Sequence, residues 1–371
     1  MLSKRQFLRA AGIAAASRMT LRGSNPQVSD RKVIVVTFGG GVRYAETFAP
    51  EGERNIPHLL RLRPEGLFYR SCVNGGVLSH FNSTASIVTG NWQRVDDFGF
   101  QPPASQTIFE AFRQQRKAGL MDAWAICTNK SFATMGGANP AAGANVVLPK
   151  QLLLEAVKDV VAQPRGLGVA DRENVQRRLE SILQEGYEGV GWTIFQQGRK
   201  LDREVRETLT RALVEYIHGP EAPTSGDELT FFITREIMRE FAPRLLLVNF
   251  WDMDVAHWGA YSLYLQAITR TDRLVDMLWD EVNANAAYRD KTTVLVLPEL
   301  GRDGDVNAAN GFLNHRSGDP SCRNMWLLAL GAGVSKNEVE RPVAHIDVAA
   351  TAARLLGVKL DAAGQPLAEI S

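Results

Sequence analysis

Residues 244–259 read RLLLVNFWDMDVAHWG. The first half is an unbroken apolar run, the pattern of a strand buried on both faces. The second half puts two aspartates and a histidine within six residues, between two tryptophans. The arrangement recurs. Lys32-Val-Ile-Val-Val-Thr-Phe38 runs into Gly39-Gly-Gly-Val-Arg43, and Thr292-Thr-Val-Leu-Val-Leu297 runs through Pro298 into Glu299-Leu-Gly-Arg-Asp303-Gly-Asp305. In open parallel sheets, sites collect beyond the carboxyl ends of the strands. Acids and imidazoles after several strands are therefore expected to converge on one point.

The rest of the chain supports that architecture. Further strands are expected at 66–73, 123–127 and 325–330. Helices are expected at 56–63, where Pro57 suits the first turn, and from Ser83 to Val88, ended by Gly90. Others are expected at 107–116, at 261–282 and from Ile346 to Leu356, stopped at Gly357. Strands alternating with helices indicate an α/β fold with a largely parallel central sheet flanked by helices. Between about 151 and 242 the pattern changes to charged amphipathic helices, read as a helical insertion or cap. The domain reading is a tail over 1–29 and one α/β domain over 30–371 carrying that insertion.

The 371 residues are 45% hydrophobic and 22% charged, with a net charge of +1. This near-neutral balance gives no electrostatic reason to expect nucleic acid or an anionic membrane surface. No stretch approaches the ~20 apolar residues of a membrane span, so no stable membrane insertion is expected. Cys72, Cys127 and Cys322 are odd in number and widely spaced, which reads as buried free thiols. The amino terminus resembles a twin-arginine export signal through Ser3-Lys4-Arg5-Gln6-Phe7-Leu8, with Lys4 where the first arginine would stand. Export to the periplasm is one reading; a basic tail on a cytoplasmic protein is the other.

Taken in order, the motifs resemble the alkaline phosphatase superfamily, which includes sulfatases, phosphodiesterases and cofactor-independent phosphoglycerate mutases. VIVVTFGGGVR opens the series. Asn55, Pro57, Leu59 and Leu62 follow, then Glu65, Gly66 and Tyr69, then Ser86, Thr89 and Gly90. Asp252, Asp254, His257 and Gly259 come later, then Glu299 and Gly301, then His315. Asp347, Thr351, Leu355 and Gly357 match the closing helix.

The resemblance implies a hydrolase of phosphate or sulfate esters, a small anionic substrate and two divalent metals, zinc or manganese being suited to the donors. It also implies where this chain departs. One family site survives in outline as His257 and His315 with Asp252 or Asp254. The other does not: its first-strand aspartate falls at Gly40, its Asp-His pair at Glu299-Leu300, and its nucleophile at His80. Three accounts compete. The second site is rebuilt from His80 and Glu299, with Asp303 or Asp305. Or one metal remains and activates water, with His80 or Glu299 as general base. Or catalysis is lost and the fold binds an anionic ligand or partner. Arg43 and Arg316 are candidate anion clamps, and Asp303 a supporting residue behind the ligands. His80 could instead start a helix, and His345 could cap the last one.

Overall fold

The computed structural model describes residues 30–97, 99–153, 224–304, 311–316 and 318–371, with scattered positions between 203 and 212. The amino-terminal segment, Asp305 and most of the expected insertion lie outside these residues. Among the described residues, nine strands form one sheet in the order β4-β3-β5-β1-β6-β7-β2-β8, with β9 also on β2. They are β1 (Lys32–Phe38), β2 (Leu67–Val73), β3 (Ala123–Cys127), β4 (Asn145–Val147), β5 (Leu245–Phe250), β6 (Thr292–Pro298), β7 (Asn324–Gly331), β8 (Asn337–Val339) and β9 (Val343–Ala344). All pairings are parallel except those of β7 with β6 and with β2. The largely parallel α/β sheet expected from the sequence is present.

Alternation along β1 divides the core. Ile34, Val36 and Phe38 point into one layer and Val33 and Val35 into the other. The first layer is covered by α1 (Pro57–Leu62), α4 (Gly226–Phe241) and α5 (Tyr261–Ala284). The second is covered by α2 (His80–Thr89), α3 (Ile108–Arg116) and α6 (Asp347–Leu356). The helix ends follow local chemistry. Thr107 and Glu110 form a capping box at the start of α3, which satisfies two otherwise orphaned N–H groups. Gly90 and Gly357 adopt the left-handed conformation that ends α2 and α6.

Two details differ from the sequence reading. Helix α2 begins at His80, three residues ahead of the expected start, with Ser79 in the capping position. The short strands β4, β8 and β9 carry too little periodicity to be read in advance. Within the span assigned to an insertion, Gly226–Phe241 is a helix whose Leu229, Ile233 and Ile237 join Trp124, Ile126 and Leu246 of the sheet in one apolar layer. All three cysteines are buried and none is in a disulfide among the described residues. No helix among the described residues is long and apolar enough to cross a membrane.

Sheet register sets the site. Phe38 lies level with Phe250 of β5 and with Pro298 of β6. The segments leaving these three central strands, at Gly39, Trp251 and Glu299, therefore emerge side by side at the carboxyl end of the sheet.

Candidate metal centre

Beyond β5 the chain tightens into a 3-10 turn, Asp252–Trp258. That turn brings Asp254 and His257 together, with His257 Nε2 3.2 Å from Asp254 Oδ1. His315 arrives on the loop before β7, and its Nε2 lies 3.1 Å from His257 Nε2. His80 enters from the first turn of α2, with Nε2 3.3 Å from Asp254 Oδ1. One ligand atom from each of His80, Asp254, His257 and His315 lies within 4.8 Å of the others.

The donors fit a divalent ion. Two imidazole nitrogens face each other at His257 and His315, where at most one can donate. His80 Nε2 is buried and in close range of Asp254, yet makes no aligned hydrogen bond. Buried polar atoms are rarely left so. A cation between them would use both sets of lone pairs. Three imidazoles and one carboxylate match zinc or manganese better than the all-oxygen shells of magnesium and calcium.

Glu299 is fully buried and its carboxylate is fully used. Oε1 lies 2.5 Å from His80 Nδ1 and accepts from Gly40 N at 2.8 Å. Oε2 accepts from Thr84 Oγ1 at 2.8 Å and Asn249 Nδ2 at 3.3 Å. Its geometry is that of a carboxylate orienting an imidazole. It stands outside the four-residue cluster, and its ring partner is His80, with Arg302 paired elsewhere.

Arg302 is the residue that sequence reasoning missed. It is completely buried, and its Nη2 lies 2.9 Å from Asp254 Oδ1 and also donates to Gly40 O. Nε donates to Gly41 O at 3.1 Å and Nη1 to Phe312 O at 3.1 Å. The positions that the family resemblance assigns to a second metal are thus filled from within. Gly40 offers only backbone, Glu299 holds His80, and the Arg302 guanidinium lies between Gly40 and Asp254. Gly40 has φ +83°, and an added Cβ would fall 2.4 Å from Asp254 N. No carboxylate could stand there without moving the turn. Nothing in the spacing of Glu299-Leu-Gly-Arg marks that arginine as buried.

Electrostatics follow from this packing. Burial lowers the His80 pKa, but the charges of Asp254 and Glu299 outweigh it and raise His80 to about 9. Burial opposes ionisation of Asp254, yet His80, His257 and Arg302 hold it well below the carboxylate range. Burial, together with the charges of His80 and Arg302, pushes His315 far down, so its ring is neutral.

The other expected residues are placed elsewhere. Asp252 Oδ2 accepts from Asp227 N at 3.1 Å and pairs with Arg270 at 3.1 Å, so it anchors the start of α4. Asp227, a buried carboxylate not singled out in the sequence, accepts in turn from Trp251 N at 2.6 Å and Asp252 N at 2.9 Å. Arg43 is tied to Glu46 through Nε and Nη2 and to Asp303 O through Nη1 at 2.8 Å. Asp303 N donates to Asn314 O at 2.8 Å, which steadies the loop carrying His315. Arg316 pairs with Asp97 on the surface. Trp251 packs edge-on against His80 at 4.4 Å, whereas Trp258 is 65% exposed.

The fold defined here is that of the alkaline phosphatase superfamily. Alkaline phosphatase PafA matches with a TM-score of 0.59 at 13% identity, covering 94% of this chain and 100% of that one. Lipoteichoic acid synthase LtaP from Listeria monocytogenes matches with a TM-score of 0.55 at 11% identity, over 96% of this chain and 80% of the other. Phosphonate monoester hydrolase of Agrobacterium radiobacter matches with 0.55 at 13%, over 91% and 76%. At these identities the likeness is one of fold. No family model and no curated protein sequence matches the chain.

Proposed function

We propose that this protein is a hydrolase of phosphate or sulfate esters that works with one divalent metal. The observation that carries the reading is the convergence of His80, Asp254, His257 and His315 beyond the carboxyl ends of the central strands. The fold is shared with proteins named as a phosphatase and a phosphonate monoester hydrolase, which supports the reaction class.

Asp254, His257 and His315 would hold the ion through one carboxylate and two facing imidazoles, and three protein ligands leave one position open. Bound there, zinc or manganese would polarise an ester oxygen and lower the pKa of a bound water. His80 handles the proton. Glu299 fixes its ring through Nδ1, so Nε2 faces the cluster and can take a proton from water or return one to the leaving oxygen. Arg302, held against Asp254, keeps positive charge beside the site where anionic charge develops.

A second reading also rests on His80. If its Nε2 is a fourth ligand, the site is closed, as in structural zinc centres, and the protein binds its anionic ligand without turnover. Hydrolysis of p-nitrophenyl phosphate and p-nitrophenyl sulfate by zinc- or manganese-loaded protein, with His80→Ala alongside, separates the two. Turnover lost in the variant with metal retained supports the hydrolase. No turnover and metal lost in the variant supports the closed site.

A further inference from the structure

A cleft of about 770 Å³ lies against the same two segments that supply His80 and His315. Ser79, which precedes His80, and Arg316, which follows His315, both line it. Its walls also carry Arg94 and Arg323, and Asp97 is the single acid among its lining residues. Arg316 pairs with that aspartate. Arg323 is pinned by Nη1 to Asn74 O at 3.0 Å and Gly76 O at 2.9 Å, so its fork is pre-positioned. Arg94 is exposed and has no ion pair or side-chain hydrogen bond among the described residues.

The floor is built as well. Trp92 lies across Gly75 and Gly76, where an added Cβ would meet its ring at 3.0 Å and 2.9 Å respectively. The ring stays 38% exposed. A flat aromatic face beside guanidinium groups suits a ligand with a ring or chain next to an anionic group.

We propose that this cleft is a second anion subsite, and that the substrate carries two anionic groups: the ester at the metal centre and another held by Arg94 and Arg323. The inference rests on the proposed function of the metal centre. The shared chemistry is a phosphate or sulfate group on a compact organic scaffold.

The test is calorimetric binding to the zinc-loaded full chain, using glucose 1,6-bisphosphate, glucose 1-phosphate and glucose 6-phosphate, with glucose 6-sulfate as the sulfate arm. The bisphosphate should bind roughly 10- to 100-fold more tightly than either monophosphate, as one further charge-assisted pair gives. Arg94→Gln should erase that advantage and leave monophosphate binding unchanged. The sulfate arm ranks the two anions at the metal centre; a sulfate preference there moves the bis-anion comparison to the disulfated sugar. Equal affinity for mono- and bis-anions, or an advantage that survives in both Arg94→Gln and Arg323→Gln, overturns the subsite. Two-anion binding without turnover of any ester instead counts against the hydrolase reading alone. Arg94 is exposed and makes no ion pair or side-chain hydrogen bond among the described residues, so an unchanged melting temperature should accompany its variant.

Discussion

Nδ1 of His80 lies 2.5 Å from Oε1 of Glu299, while Nε2 of the same ring faces Asp254 at 3.3 Å. One imidazole thus joins a hydrogen-bonded carboxylate on one side to the candidate metal donors on the other. Glu299→Gln should leave metal content unchanged and lower turnover by roughly 10- to 100-fold, as loss of an orienting carboxylate does. Metal analysis beside steady-state rates checks this. Loss of the metal together with activity would make Glu299 a ligand after all.

Metal binding should be coupled to a proton. Asp254 and Glu299 hold His80 at about 9 against the opposing effect of burial, so the ring is protonated at neutral pH in the metal-free protein. A cation entering beside it must displace that proton. Zinc affinity should therefore rise with pH up to about 9 and level off above it. Calorimetry in buffers of different ionisation heat should count about one proton released at pH 7.5, and none from this group in His80→Ala.

The two aspartates of the β5 turn should separate cleanly. Asp254→Asn should abolish metal binding, since Asp254 Oδ1 is within 3.3 Å of both His80 and His257. Asp252→Asn should keep the metal and lower stability by about 1–3 kcal/mol, the cost of weakening a buried charged hydrogen bond. Metal content and thermal melts of the pair distinguish the roles.

His345 should make the fold acid-sensitive. Its ring is fully buried with neither nitrogen partnered among the described residues, and burial depresses its pKa to about 3. Below the ordinary histidine value of 6.5 the unfolded chain gains a proton that the folded chain refuses. Stability is then full above pH 6.5 and falls as pH drops toward 3, by roughly 2 kcal/mol at pH 5. His345→Leu should remove that component of the slope in denaturant titrations at pH 7 and pH 5. An unchanged slope would place the acid sensitivity elsewhere.

How far the sequence foretold this molecule depended on the kind of signal. Long apolar runs such as Lys32–Phe38 and Leu245–Phe250 announced their strands because burial on both faces leaves a continuous hydrophobic pattern. His257 and His315 could be named because the order of segments placed them, and both stand in the cluster. Asp252 and Asp254 could not be told apart, since which carboxylate turns inward depends on the 3-10 geometry of residues 252–258. Arg302 could not be read at all. Its burial follows from carbonyls at Gly40, Gly41 and Phe312 that only the fold brings together.

The most direct measurement is the number of metal ions per chain, by native mass spectrometry with elemental analysis, after loading with zinc or manganese. The structure of the site predicts one ion, lost in both His257→Ala and His315→Ala and retained in Asp252→Asn. Two ions per chain, or none in the unaltered protein, would contradict it.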